Sequence, residues 1–499
     1  MGAIARLRVL LALLLTLVPL GGALAAPPNI VVILADDMGW GDLRANNRAS
    51  LVATPNLDRL AREGMRFRNA HSSAAVCAPT RYGLLTGNYQ WRGARAWGTW
   101  KYWFSSQILP GQLTIGDLAQ RAGYRTGFVG KLHMGGDFYG LGSDVVTREQ
   151  SLVDFSRGFA NGPLAHGFDY SFPLLDGIQG EPYAYFENDR LVGDPALLQV
   201  WAAGRYGSSE ILKDGRGMPD WDSSQVGPEL LDRALGFIDR HLAGPDAARP
   251  FLLYYSAQAV HEPHTPPAKL AGKKIAGFTG LCARQDMIRE LDVAVGALTA
   301  HLREKGLLAD TLFLFTSDNG GEDLCGQDSS GPTFAGEKSQ ILEGGHRVPM
   351  IVKWGDTGNY TVPPGTARNQ LISTLDVVGT LARLAGSEVG ADQALDSFDF
   401  SEVWLGTRSD RSPVRDHLMA ESRNADVDTA IPSTIAYYEG SWKLVLQRRG
   451  GVYRVVRLAD LTADPGETID LATDPAQAAR VGAMRDRFLA RRFAARTAP

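Results

Sequence analysis

The chain has 499 residues, of which 44% are hydrophobic and 21% charged, and a formal net charge of −4. That length accommodates one large α/β domain and a smaller one. The lack of a basic excess argues against nucleic acid or an anionic membrane surface as a partner, and neither internal repeats nor low-complexity blocks appear.

Arg6 and Arg8 precede an apolar run from Val9 to Leu20, and Ala23-Leu24-Ala25 has the form of a cleavage site. Residues 1–25 therefore read as a secretory signal and the mature protein as exported. Pro19 and Gly21-Gly22 interrupt the run, and no other stretch is long enough to span a bilayer. Asn29 to Ala35 is a continuous β-branched and leucine run, which predicts a central parallel strand buried on both faces. Asp36-Asp37 follow at the carboxyl edge, where open α/β sheets bind ligands. Adjacent carboxylates repel, so a site that holds both wants a cation; a solvated Asp-Asp turn is the alternative. Thr54 as N-cap, Pro55 at the first position and Gly64 as C-cap predict a helix with Leu57, Leu60 and Ala61 on its buried stripe. A short strand is expected over Met65 to Asn69.

The next segment, Ser72 to Gly87, carries Cys77 with Pro79 at +2, Arg81 at +4 and Leu85-Thr86-Gly87 after it. Proline cannot continue a strand ladder, so Cys77 is expected at a turn with a helix starting near Pro79. The free N–H groups and dipole of that helix, with Arg81, suit a nucleophile that works on an anion. A buried structural cysteine is the plain alternative. Further on, a helix is predicted over Leu113 to Gly123 and a strand over Arg125 to Gly130, followed by Lys131-Leu132-His133. Residues 140–227 read as a long insertion of loops and short elements. A helix over Pro228 to Leu242 leads to the strand Phe251 to Tyr255 and then to His261-Glu262-Pro263-His264. After a helix over Gln285 to Lys305, the strand Thr311 to Thr316 ends in Ser317-Asp318-Asn319-Gly320-Gly321. Lys338 precedes Glu343-Gly344-Gly345 and a strand over Val348 to Trp354, and Asp376 to Ala385 is a helix. A composition shift near Ser409 to Pro413 divides a domain at 26–410 from a smaller one at 411–499. The latter alternates like antiparallel strands at His417 to Glu421, Ile435 to Tyr438, Trp442 to Gln447 and Val452 to Leu458, then has an Asp464-Pro465-Gly466-Glu467 turn and a helix over Pro475 to Phe493. It is expected to contribute little chemistry. The fold class is α/β: a large, mostly parallel sheet flanked by helices, plus a small antiparallel sheet with a packed helix.

Cys77-x-Pro79-x-Arg81 with Thr86-Gly87 resembles the signature of the formylglycine-dependent sulfatases, of alkaline-phosphatase-like fold. In that family a maturation enzyme oxidises the cysteine to an aldehyde, whose hydrate is the nucleophile. Gly130-Lys131-x-His133 resembles the family's Gly-Lys-x-His motif, His261 its His-x-Pro position, and Lys338 its sulfate-binding lysine. The resemblance runs from Asp36 to the Asp464–Glu467 turn. Asp36, Asp37, Asp318 and Asn319 offer only hard oxygen ligands, which suits Ca²⁺ or Mg²⁺. The resemblance implies Ca²⁺, with the modified Cys77 in its shell. It further implies that Lys131, Lys338 and Arg81 offset sulfate charge, with His261 the candidate general acid and His133 the base. The expected substrate is a sulfate ester, a sulfated carbohydrate or an aryl sulfate. Trp91, Trp97, Trp100 and Trp103, among Arg92, Arg95 and Lys101, would suit a sulfated sugar; aromatic packing under a loop also accounts for them. Two other readings stand beside this one: a phosphonate monoester hydrolase or phosphodiesterase of the same superfamily, and a non-catalytic sulfated-glycan binder. With Cys77 consumed, Cys282 and Cys325 remain as one pair for a disulfide.

Overall fold

The computed structural model describes residues 27–96, 98–422, 433–449 and 452–494; the signal segment and Trp97 lie outside them. In chain order the central sheet comprises β1 (Asn29–Ala35), β2 (Met65–Phe67), β3 (Arg125–Lys131), β4 (Tyr170–Leu174), β5 (Phe251–Ser256), β6 (Thr311–Ser317), β7 (Met350–Asp356), β8 (Asn359–Tyr360) and β9 (Thr366–Arg368). Their spatial order is β9-β2-β7-β6-β1-β5-β3-β4, with β8 paired to β7. The block β6-β1-β5-β3-β4 is wholly parallel, whereas β7 runs antiparallel to both its sheet neighbours.

Successive strand side chains point to opposite faces, so β1 feeds two cores. Ile30, Val32 and Leu34 pack with helices α2 (Cys77–Thr86), α3 (Ile115–Arg121) and α6 (Val377–Ala385). Val31, Ile33 and Ala35 pack with α1 (Pro55–Arg62), α4 (Val226–Ala243) and α5 (Ala283–Glu304). Every residue of β1 is buried, as a two-faced parallel strand requires.

Helix and strand types follow the sequence reading, while several boundaries move. Helix α2 begins at Cys77 itself, with Val76 as N-cap. Pro79 falls in the first turn, where its missing N–H has no intrahelical acceptor to lose, so it does not mark the start. Gly64 is not the cap of α1; Glu63 is. A Cβ at Gly64 would collide with the Val352 carbonyl oxygen of β7, so glycine is there for close approach. The sequence reading left β4 inside the 140–227 insertion of loops and short elements; its Pro173 is tolerated because β4 is an edge strand. The rest of the insertion forms short hairpins and single turns. Val348 precedes β7, which runs two residues further than expected.

The second sheet, β10 (Leu418–Glu421), β11 (Thr434–Glu439), β12 (Trp442–Arg449) and β13 (Val452–Asp460), is antiparallel throughout. Helix α7 (Ala478–Arg492) packs on it through Met484 and Phe488. This sheet reaches the Cys77 segment. The Ala75 N–H donates to the Glu421 carbonyl at 2.7 Å, and the Glu421 N–H to Ser73 at 3.2 Å. Deeper in the contact, Lys443 pairs with Glu343 at 3.1 Å and Glu467 at 2.8 Å, all with fully buried side chains. Burial pushes the Glu343 carboxyl up, but Lys443 and Arg347 hold it well below its usual range.

Removing one partner of a buried ion pair leaves an uncompensated charge at a cost of about 3–5 kcal/mol. Lys443→Met is therefore expected to lower stability by about that amount, read as a lower denaturant midpoint. An unchanged midpoint would show that the Lys443 network contributes nothing to holding the two sheets together.

Candidate active site

The register of the parallel block brings four strand ends to one line. Ala35 pairs with Ser317, Leu34 with Ser256, and Ser256 with Gly130. The residues that follow emerge together at the carboxyl edge: Asp36 and Asp37 after β1, Lys131 at the end of β3 with His133 beyond it, His261 after β5, and Asp318 and Asn319 after β6. Gly130 has φ 109°, and a Cβ there would strike the Ser256 carbonyl, so this approach of β3 to β5 requires glycine. Asp37 (φ 62°) and His133 (φ 55°) take left-handed conformations as their strands end, which turn the side chains into the site at some cost in strain.

Cys77 enters from the first turn of α2, and Arg81 lies four residues on, on the same helix face. The Arg81 guanidinium reaches all four strand ends. It donates to Asp318 Oδ2 at 2.6 Å, to Ser256 Oγ at 2.6 Å and to the Lys131 carbonyl at 3.2 Å, and stands 3.3 Å from Asp36 Oδ1. Lys131 Nζ donates to Asp36 Oδ2 at 2.7 Å. Lys338 Nζ donates to Asp37 Oδ2 at 2.5 Å and lies 3.2 Å from His261 Nε2, which is itself 3.6 Å from Asp37 Oδ2. The loop holding Lys338 is tied to the Cys77 segment by the Ser339 N–H, which donates to Ala75 at 2.8 Å. The structure thus brings together all ten residues singled out from the sequence. His264 sits behind them, half-buried beside Arg284 and His261, and burial lowers its pKa to about 4.

The electrostatics follow from these contacts. Burial pushes the Asp36 carboxyl up, but Lys131, His261 and Arg81 outweigh it and hold the group far below its usual range. Burial opposes charge on Lys338 and on His261, and Asp37 overcomes it in both, raising each above its ordinary value. Burial alone would raise the Cys77 thiol; Lys131 and His133 pull it well below the usual range. The pocket around Cys77 therefore favours an anion.

Oxygen atoms of Asp36, Asp37 and Asp318 lie within 4.8 Å of one another. Asn319 donates its amide N–H groups to Asp37 Oδ1 and the Gly320 carbonyl, while its buried Oδ1 has no hydrogen-bond partner. Three carboxylates and an unpartnered amide oxygen, all hard donors, fit Ca²⁺ or Mg²⁺. Cys77 and His261 also lie within that distance of Asp36, so the sulfur position borders the oxygen cluster.

Supporting residues escaped the sequence reading. Ser256 links Arg81 to the Lys131 carbonyl; its signal was only that it ends a strand. Arg284 pairs with Asp42 at 2.7 Å and donates to the Asp37 carbonyl at 3.2 Å, a contact between segments far apart in sequence. Cys282 and Cys325 form a disulfide with a Cα separation of 6.3 Å, joining the start of α5 to the loop after β6. Of the tryptophans, Trp91 stacks on Tyr89 at 4.3 Å and Trp100 is fully buried, so these two serve packing, whereas Trp103 is half-buried.

The sulfatase family model matches residues 28–387. An N-acetylgalactosamine-6-O-sulfatase of Bacteroides thetaiotaomicron is 30% identical over 505 residues, covering 89% of this chain and 89% of its own. Arylsulfatase A of Bos taurus is 31% identical, covering 89% and 79% respectively. A solved structure from work on glycosaminoglycan metabolism by Bacteroides thetaiotaomicron superposes with a TM-score of 0.76 at 28% identity, over 93% of this chain and 99% of that one. The phosphonate monoester hydrolase of Agrobacterium radiobacter shares the fold, with a TM-score of 0.58 at 20% identity over 93% of this chain and 95% of its own.

If the oxygen cluster holds a divalent cation, Ca²⁺ added to chelator-stripped protein is expected to raise Tm by mass action. Asp318→Ala is expected to lose most of that rise. An equal rise in both proteins would place the binding elsewhere.

Proposed function

From the premise that the chain belongs to the sulfatase family, and hydrolyses sulfate esters of sulfated glycans or aryl sulfates, we propose that it removes sulfate from a sulfated carbohydrate through a formylglycine made at Cys77. The observation that carries the reading is the position of Cys77: at a helix N-terminus, beside Lys131 and His133, and against an all-oxygen cluster. The carbohydrate class is favoured by the named activity of the Bacteroides relative. The same superfamily's phosphonate hydrolases share only the fold at this level of identity.

Asp36, Asp37, Asp318 and Asn319 would hold Ca²⁺, with Mg²⁺ the smaller alternative, and the ion would draw negative charge from sulfate. The hydrated aldehyde at Cys77 would supply one hydroxyl to attack sulfur and a second whose deprotonation expels sulfate. Arg81 fixes the carboxylates and keeps the strand ends in register. Lys131 and Lys338, now on Asp36 and Asp37, would be free to face sulfate oxygens once a cation takes over those carboxylates. His261 Nε2, beside Lys338, would protonate the departing alkoxide as its bond to sulfur breaks. His133, buried beside Cys77, would accept the proton from the second hydroxyl. A maturation enzyme must act on Cys77 before any of this, and the 1–25 segment is proposed to direct export. Among the described residues no helix is long and apolar enough to cross a membrane.

Mass spectrometry of the Cys77 peptide from protein made with a formylglycine-generating enzyme is expected to show the aldehyde. Cys77→Ala is expected to fold and to show no turnover; multiple turnovers by that variant would remove the mechanism.

A second test addresses His261. A sugar alkoxide needs a proton as it leaves, whereas nitrophenolate is a stable anion. His261→Ala is expected to lose about 10²–10⁴-fold in kcat/KM on a sulfated sugar and much less on nitrophenyl sulfate. Equal losses would leave His261 as a sulfate ligand and the acid unassigned.

A further inference from the structure

The segment that begins at Trp100 crosses the carboxyl end of β3. Trp100 pairs with Met134 in an isolated parallel bridge, and the Gln107 N–H donates to the Met134 carbonyl at 2.8 Å. On the other side of the same strand end, the His133 N–H donates to the Leu175 carbonyl at 2.7 Å. These two fastenings set Lys101, from the first segment, against Asp176, from the turn after β4. Lys101 Nζ lies 3.4 Å from Asp176 Oδ2, the Tyr102 N–H also reaches this carboxylate, and His133 is its other charged neighbour.

Asp176 has two features that folding alone does not explain. Its side chain is 2% exposed, yet Oδ1 has no hydrogen-bond partner. An unsatisfied buried acceptor costs about 1–3 kcal/mol, more for a charged group, and native structures leave few of them. The site for sulfate, described above, uses neither Asp176 nor Lys101. Lys101 in turn keeps 31% of its side chain exposed, so its ammonium has donors to spare. Asp176 adjoins the nucleophile side of the pocket through His133, and the next residue, Gly177, does so through the Lys131 side chain; Lys101 joins it there through its ion pair with Asp176.

We propose that Lys101 and Asp176 form the subsite that takes hydroxyls of the sugar ring bearing the sulfate. The carboxylate accepts from one hydroxyl, and the ammonium donates to a neighbouring one. This inference rests on the sulfatase reading of the Cys77 site and assigns residues to the recognition of its carbohydrate. A simple aryl sulfate brings no ring hydroxyls and leaves both charged groups unfilled, which is the situation that discriminates most strongly between substrates. The pair is also held in advance. Tyr102 donates to Glu181, the Arg216 N–H donates to Glu181 Oε2 at 2.7 Å, and the Arg216 guanidinium donates to Tyr102 Oη at 3.1 Å and covers the Phe155 ring at 4.7 Å. This bracing fixes the backbone beside Lys101, so little ordering is left for the binding step.

The test compares matured wild type with Asp176→Asn and Lys101→Met. The substrates are a sulfated monosaccharide, its analogue with the neighbouring hydroxyl removed, and nitrophenyl sulfate. On the sugar, each variant is expected to lose about 10–100-fold in kcat/KM, the worth of a charge-assisted hydrogen bond. The loss should fall mainly in KM and exceed that on nitrophenyl sulfate at least about tenfold. On the deoxy analogue the gap between variant and wild type should narrow, because the partner hydroxyl is already gone. Equal loss on sugar and aryl esters overturns the subsite and leaves Asp176 as a group that positions His133. No loss on any ester overturns it as well. A Tm scan identifies a variant that fails to fold, and Lys101→Met then carries the comparison alone. Wild-type protein that hydrolyses no sulfate ester overturns the parent reading, and this one with it, before any variant is compared.

Discussion

Three carboxylates share one small, buried volume at the ends of β1, β3, β5 and β6 with Arg81, Lys131, Lys338 and His261, and the balance among them is what the rest of the site depends on. Arg81 is the pivot. Its guanidinium is fully buried and reaches Asp318, Asp36, Ser256 and the Lys131 carbonyl at once. A buried ion without partners is prohibitive, so strand register, helix placement and charge balance are a single constraint here. Shifting β5 by one residue would take Ser256 from Arg81 and exchange the side chains the strand sends into the two cores.

The same constraint explains why the nucleophile is carried on a helix. At the first turn of α2, Cys77 has unpaired N–H groups around it, and Arg81 one turn later faces the same way. Helix α2 is buried along its whole length, so its position is set by packing against Ile30, Val32 and Leu34 and against α6. The chemistry therefore rests on a rigid core, with Lys131 at the end of β3, while Lys338, His133 and His261 come from loops. Those loops are tied down in turn: Ser339 to Ala75, Arg284 to the Asp37 carbonyl, Cys282 to Cys325.

The C-terminal sheet takes part in that tying. Its first strand hydrogen-bonds to Ser73 and Ala75, two residues short of Cys77. Lys443 and Glu467 close on Glu343, the first residue of a helical turn that follows the Lys338 loop and whose Gly345 carbonyl accepts the N–H of Gly320, next to Asn319. A region that carries none of the candidate site residues thus braces two of the segments that do.

Much of this molecule was legible in its sequence, because the relevant signals are local. Unbroken apolar runs such as Asn29–Ala35 specify buried parallel strands whatever surrounds them, and polar residues directly after such runs fall at the ligand edge. Asp36, Asp37, Lys131, His133, His261, Asp318 and Asn319 follow strands in that way, whereas Cys77 and Arg81 stood out through a Cys-x-Pro-x-Arg motif that resembles the sulfatase signature, and Lys338 through that resemblance alone. What the sequence left open depends on distant pairing. β4 was lost in the 140–227 insertion, and its Pro173 is acceptable only because the strand lies at the sheet edge. Gly64 looked like a cap until β7 came against it. Arg284 and Asp176 carry no local mark and Ser256 only its place at a strand end, since each matters only for what another strand, helix or loop brings beside it. Cys282 and Cys325 were the one pair left for a disulfide once Cys77 is consumed, and the packing of α5 against the loop after β6 brings their Cα atoms to 6.3 Å. Sequence periodicity and turn chemistry determine which residues lie at which element ends; packing decides which of those ends meet.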